Sequence, residues 1–161
     1  MTKRPSRVAR IATAAGIAAA LTISASACSF ATLNVAGPAA GVNATSGGAH
    51  VMNVVLVDSG SSASLVASVY SRTDDTLVSV SGAPITVGGS QGQPFGTVQV
   101  NRGITAGQVV NLDKAGISLS SPDLVDGLTA DVTFTFSHAG VITVVAPITS
   151  SSNPVYSSAG S

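Results

Sequence analysis

Asp131-Val132-Thr133-Phe134-Thr135-Phe136-Ser137 alternates apolar and polar residues without a break. In an extended chain successive side chains point to opposite faces, so Val132, Phe134 and Phe136 share one face while Thr133 and Thr135 share the other. One face belongs to a core and the other to solvent, as in an antiparallel strand covered on one side. The turn signal Ala139-Gly140 and a second apolar run, Val141 to Ala146, follow directly. Together they predict a hairpin.

Working outward from this hairpin, the region from Ala49 to Ile148 is dominated by Val, Ser, Thr and Gly. β-branched residues suit a pleated surface, and no apolar stripe at i, i+3, i+4, i+7 persists long enough to specify a helix. Strands are predicted at His50 to Val57, Leu65 to Ser71, Thr76 to Val80, Pro84 to Val87, Thr97 to Val100, Gln108 to Leu112, Ile117 to Leu119, Asp131 to Phe136 and Val141 to Ala146. Ser59-Gly60, Thr73-Asp74-Asp75, Gly88-Gly89, Ala106-Gly107 and Ala115-Gly116 punctuate them. Seven to nine short strands at this spacing predict an all-β sandwich, with a small barrel as the second choice.

The segments on either side differ in kind. Met1 to Arg10 is basic, Ile11 to Ile23 is an apolar run of thirteen residues, and Ser24-Ala25-Ser26-Ala27 is small. This is the three-part layout of a secretory signal peptide over residues 1–27, and the run is shorter than the roughly 20 residues that cross a bilayer as a helix. Ala25-Ser26-Ala27 suits ordinary signal peptidase, while Ala25-Ser26-Ala27-Cys28 also resembles a bacterial lipobox, with Ala25 where Leu is usual. In lipobox proteins the cysteine thiol takes a diacylglyceryl group, palmitate being typical of such anchors, and becomes the new N-terminus. A lone thiol at the cleavage point of an exported chain otherwise has no role, so Cys28 is read as lipidated, with a soluble secreted protein as the alternative. Residues 28–48 then read as a tether of Ala, Gly, Ser, Thr and Asn, and residues 149–161 as a disordered Ser-rich tail whose Val155-Tyr156 pair could dock on the domain.

The charges narrow the function. Seven Lys or Arg balance seven acidic residues, all Asp, but four of the basic ones lie in the first ten positions. A chain starting at Cys28 keeps three basic and seven acidic groups, a net charge of −4. That argues against a nucleic-acid binder, which needs a basic face against the phosphates. The single cysteine excludes an intrachain disulfide and any cysteine-based zinc cluster.

Thr76-Leu77-Val78-Ser79-Val80, Ile104-Thr105-Ala106-Gly107-Gln108 and above all the stretch from Leu128 to Ile148 resemble the PCu(A)C periplasmic copper chaperones, and more closely the related actinobacterial lipoproteins of LpqE type. The resemblance covers nearly the whole folded region. It implies a Greek-key β-sandwich of cupredoxin-like shape, and a Cu(I) site built from two His and two Met with a late His-x-Met pair. Where that pair would fall, this chain reads Gly116-Ile117-Ser118-Leu119-Ser120, whose hydroxyls are poor ligands for a soft ion. His50-Val51-Met52 does place an imidazole and a thioether on one face of a strand. The candidate metal ligands are therefore His50 and Met52, joined by His138 only if the fold brings its turn to the same end. The competing reading makes Met52 a core filler, His50 an exposed junction residue and His138 a turn residue.

Two further motifs carry less. Gly88-Gly89-Ser90-Gln91-Gly92 matches G-x-S-x-G, but Gln93-Pro94-Phe95-Gly96 follows instead of the helix a nucleophile elbow needs. Asp74 with Asp75, and Asp123 with Asp126, read as solvated turn residues, since neither pair shows a calcium-loop ligand series. Asn43-Ala44-Thr45 fits a glycosylation sequon, which means little behind a bacterial leader. No enzyme is expected, because no acid, base and nucleophile can be gathered from spacing. The sequence thus predicts a protein lipid-anchored to the outer face of the cell membrane. Its role is to bind an envelope protein or cell-wall component, without a cofactor. The alternative is a copper chaperone delivering Cu(I) to an envelope enzyme through a degenerate site.

Overall fold

The computed structural model describes residues 41–153 and 155–156, so the leader, Cys28 and most of the stretch read as a tether lie outside the described residues. Nine strands follow in order: β1 Val42–Ser46, β2 Ala49–Asp58, β3 Ser62–Ser71, β4 Asp75–Ile85, β5 Val98–Ile104, β6 Val109–Asn111, β7 Ser118–Ser120, β8 Thr129–Phe136 and β9 Val141–Ser150. One turn of 3-10 helix, Asp113–Ala115, is the helical element among them. The all-β sandwich expected from the sequence is the fold observed.

The strands run in the order β5-β4-β8-β9-β2-β3-β6, with β1 added to β2 and β7 to β3. β9 joins the two layers. Residues Val141 to Pro147 pair antiparallel with β8, and Ile148 to Ser150 pair parallel with Leu56 to Asp58 of β2. Val51, Leu56, Leu65 and Val69 from one layer and Leu77, Val80, Val132, Phe134 and Val144 from the other meet in a single buried cluster. The opening alternation is read correctly: Val132, Phe134 and Phe136 are buried, and Thr133 and Thr135 face outward. Thr133 there meets Thr143 of β9, hydroxyl to hydroxyl at 2.9 Å.

Three elements differ from the sequence reading. Val42–Ser46, within the stretch read as a tether, is strand β1, and Val42 and Ala44 pack against the core from it. Two small apolar residues among polar ones carry too little pattern to announce a strand; the free edge of β2 supplies the order. Thr76 to Val80 and the start of the run Pro84 to Val87 lie on one strand, β4, rather than two, and the strand ends at Ile85, before Thr86 and Val87. Proline survives there because, although Pro84 lies opposite Ala130 of β8, its C=O faces the other way and accepts the Gly92 N–H, on the side where β5 pairs only with Asp75 to Val80. Finally, Thr149 and Ser150, placed in the tail, complete β9, and Ser151 N–H donates to Asp58 C=O at 3.1 Å.

Gly82 makes the continuous β4 possible. Its φ is +150°, and a Cβ there would collide with the carbonyl oxygen of Asp131 on β8. Gly82→Ala is expected to lower the melting temperature, by strain of about 1–3 kcal/mol or more. Thermal unfolding of wild type and variant reads this directly, and an unchanged midpoint would mean the two strands do not approach this closely.

Candidate functional site

β2 carries two of the candidate residues. Ala49 and Val51 are buried in the core, and His50 and Met52, which alternate with them, are half-buried on the outer face. At Asn53 the strand bulges: its φ is +55°, its N–H donates to Asn43 Oδ1 at 2.8 Å, and the pairing with β3 shifts between Met52 and Val55. Asparagine tolerates this left-handed conformation better than most side chains. The extra residue swaps the faces, so Val54 and Leu56 enter the core in the parity that began on the outside. His50 and Met52 consequently share the outer face, as their spacing predicts, while Met52 sits opposite Ser68 rather than filling the core.

On that face His50 lies between Thr45 of β1 and Tyr70 of β3. Its Nδ1 is 3.0 Å from Thr45 Oγ1, and its ring meets the Tyr70 ring edge to face at 5.3 Å. The segment that would hold a His-x-Met pair lies elsewhere. Ser118 and Ser120 in β7 are exposed opposite Ser64 and Ser62, six or more residues along β3 from Tyr70, roughly 20 Å by strand rise.

His138 occupies the β8–β9 turn, which is brought to the end of the domain where His50 lies. The contact is between backbones: at Gly47, in the β1–β2 turn, a Cβ would stand 2.5 Å from the carbonyl oxygen of Ala139. Glycine is needed at Gly47 for this approach and for its φ of +55°.

The residue that builds this turn is Asp75, read from the sequence as a solvated turn aspartate and in fact buried. Its Oδ1 accepts hydrogen bonds from the Thr76 N–H at 2.7 Å, the Ser137 hydroxyl at 2.7 Å and the His138 N–H at 3.0 Å. Its Oδ2 accepts from the Ala139 N–H at 2.9 Å. Burial alone would raise its pKa. The Ser137 hydroxyl and the three backbone N–H groups outweigh that and hold the carboxyl down at about 2, against an ordinary 3.8. Sequence reasoning missed Asp75 because three of its four donors come from residues more than sixty positions later. The other aspartates behave in part as expected. Asp74 is exposed and accepts the Ala106 N–H at 2.8 Å, and half-buried Asp123 accepts the Gln93 N–H at 2.7 Å, pinning the Gly-rich loop.

Asp75, Ser137 and His138 are thus a serine, a histidine and an aspartate in mutual contact, yet the wiring is not that of a hydrolase. Ser137 donates its proton to the carboxylate, so no imidazole stands ready to take that proton and free the oxygen as a nucleophile. Ser90 of the G-x-S-x-G match lies 3.0 Å from the Thr86 hydroxyl in a loop that leads into no helix. Among the described residues, no three His, Cys, Asp or Glu gather as a metal cluster.

Solved structures similar to this chain include three PCuAC domains. They are the apo PCuAC domain from PmoF1, at 20% identity over 68% of this chain and 99% of that one with a TM-score of 0.48; the copper-bound PCuAC domain from PmoF2, at 16% over 68% and 98% with 0.48; and the apo PmoF2 PCuAC domain, at 15% over 69% and 97% with 0.41. At these values the likeness carries no argument about function. No family model and no curated protein matches the chain.

Proposed function

We propose that the chain is an exported protein, lipid-anchored to the outer face of the cell membrane, whose β-sandwich is a non-enzymatic binding domain for an envelope protein or cell-wall component. The observation that carries this reading is Cys28, the one thiol of the chain, placed directly after Ala25-Ser26-Ala27 at the end of a thirteen-residue apolar run. The described residues include no helix long and apolar enough to cross a membrane. A kinship with the LpqE-type lipoproteins belongs to this reading. Two acyl chains hold a protein firmly where one holds it marginally. Cys28→Ser should therefore move the protein from the membrane fraction to the soluble one. If wild-type protein shows no lipid by intact mass and the variant still sediments with membranes, the reading fails in favour of a secreted or otherwise retained protein.

A second reading, copper binding at a degenerate site, is favoured by one observation: His50 and Met52 share a strand face, and the turn bearing His138 packs against the turn that leads into that strand. One thioether and two imidazoles are borderline-to-soft ligands that suit copper, but they are fewer than a tight Cu(I) site uses. Competition with a Cu(I) chelator separates the two readings.

A further inference from the structure

Among the described residues, no strand pairs with the second edge of β9 over its first seven residues. From Val141 to Pro147 it pairs with β8 on one side, while β2 takes up the other side only at Ile148 to Ser150. β1 comes near β9 but is paired to β2, in the other layer. The ladder decides which residues face the open side. The Phe136 N–H donates to Gly140 C=O at one end and the Ile148 N–H to Leu128 C=O at the other, and bonded pairs alternate with non-bonded ones between antiparallel strands. Phe134 with Ile142, Val132 with Val144 and Ala130 with Ala146 are therefore the bonded pairs, and Val141, Thr143 and Val145 turn their N–H and C=O away from β8. The strip ends at Pro147, which has no N–H to offer. The side chains of these three residues are exposed as well, Val141 by 57% and Val145 by 51%.

Sheet edges are commonly bulged, charged or very short, which keeps them from pairing with another chain. β5, at the far edge of the same layer, has two of these devices: Asn101 has a φ of +49° where the register with β4 shifts, and exposed Arg102 follows it. β6 is three residues long. β9 has none of them, for Val141-Ile142-Thr143-Val144-Val145 is uncharged, unbulged and β-branched at every position. We propose that this edge binds a second copy of the chain, β9 against β9 antiparallel, about a two-fold axis at Thr143. The strip is its own complement. Turned about that axis, Thr143 faces Thr143, Val141 faces Val145 and Ile142 faces Val144, so β-branched side chains oppose one another on both faces. The backbone matches too, because each residue with a free N–H and C=O falls opposite another of the same kind. The hydroxyl contact of Thr133 with Thr143 then continues across the axis as a row of threonines, and Val141 and Val145 cover each other. Both copies are net negative, but no charge lies on the strip, so like charges are not brought into register.

The test is sedimentation of the purified Cys28→Ser protein, which has neither thiol nor acyl chain to join copies by another route, with amide exchange followed in parallel. It should pass from monomer to dimer with a dissociation constant on the order of 10–100 µM, as suits a small edge contact. Thr143→Lys sets two like charges opposite each other on the axis and should weaken the dimer about tenfold or more. Val109→Lys, the same change at an exposed valine of β6, should leave it unaltered. Thermal unfolding at low concentration checks that both variants are folded. Cysteine pairs read the register and stand even if Thr143→Lys does not fold. Under mild oxidation Thr143→Cys should cross-link readily to its own copy, and Val141→Cys only when mixed with Val145→Cys. A monomer at every concentration, with freely exchanging Val141, Thr143 and Val145 amides, overturns the proposal and leaves the edge to a different protein's strand. Slow exchange of those amides in a monomer overturns it too, since another segment of the same chain then covers the edge. A dimer equally tight with Thr143→Lys, or cross-links that ignore the register, places the contact elsewhere and overturns it as well.

Discussion

Phe134→Ala should leave the domain largely unfolded at room temperature. Phe134 has no solvent exposure, its neighbours Val132 and Phe136 continue the same face, and β8 runs between β4 and β9 in its layer. Truncating a buried phenylalanine costs about 3–5 kcal/mol, a large share of the roughly 5–15 kcal/mol that holds a domain folded. Thr133→Ala, one residue away, loses only a hydroxyl contact with Thr143 on the outer face and should cost about 1 kcal/mol or less. Thermal or urea unfolding of the two variants measures the difference. Equal midpoints would mean that the faces of β8 are assigned wrongly.

Asp75→Ala is the second large effect. It strands three backbone N–H groups and the Ser137 hydroxyl in a part-buried turn, and hydrogen bonds to a charged group are worth about 1.5–3 kcal/mol each. A loss of about 3 kcal/mol or more is expected, together with loosening of the β8–β9 turn from the Gly47 turn. The same carboxylate makes the domain acid-sensitive. Its folded pKa of about 2 lies below the ordinary 3.8, so its contribution is fully present above about pH 4 and is lost as the pH falls through about 2. The shift corresponds to about 2 kcal/mol. Urea midpoints for wild type should therefore fall between pH 4 and pH 2, and the fall should be smaller in Asp75→Asn. A wild-type midpoint flat across that range would contradict the structure of the turn.

The elements legible in the sequence are those whose pattern is local. β8 could be read from its own seven residues because alternation at period two is written in the side chains themselves. The shared face of His50 and Met52 was legible for the same reason. β1 and the single β4 were not, because what orders them is a partner edge and a missing partner, neither of which is a property of the segment. The bulge at Asn53 hides from periodicity in a similar way: the apolar residues Val54 to Val57 run continuously, and only the pairing with β3 shows which of them face the core. Asp75 is the sharpest case. Its neighbour Asp74 is exposed, and the two look alike until β8 and β9 bring Ser137, His138 and Ala139 over one of them.

The proposed binding domain and a copper-capturing chaperone differ in the ligands they require. Holding Cu(I) against competitors takes three or four soft or borderline ligands converging on one point, and among the described residues the soft or borderline side chains are His50, Met52 and His138. The most direct measurement is competition with a Cu(I) chelator on the purified domain, run on wild type and on His50→Ala, Met52→Ala and His138→Ala. The expected result is an affinity in the micromolar range or weaker, as an order of magnitude for about three ligands, that declines modestly in each variant. Nanomolar or tighter binding that collapses in all three variants would contradict this account and make the protein a copper chaperone.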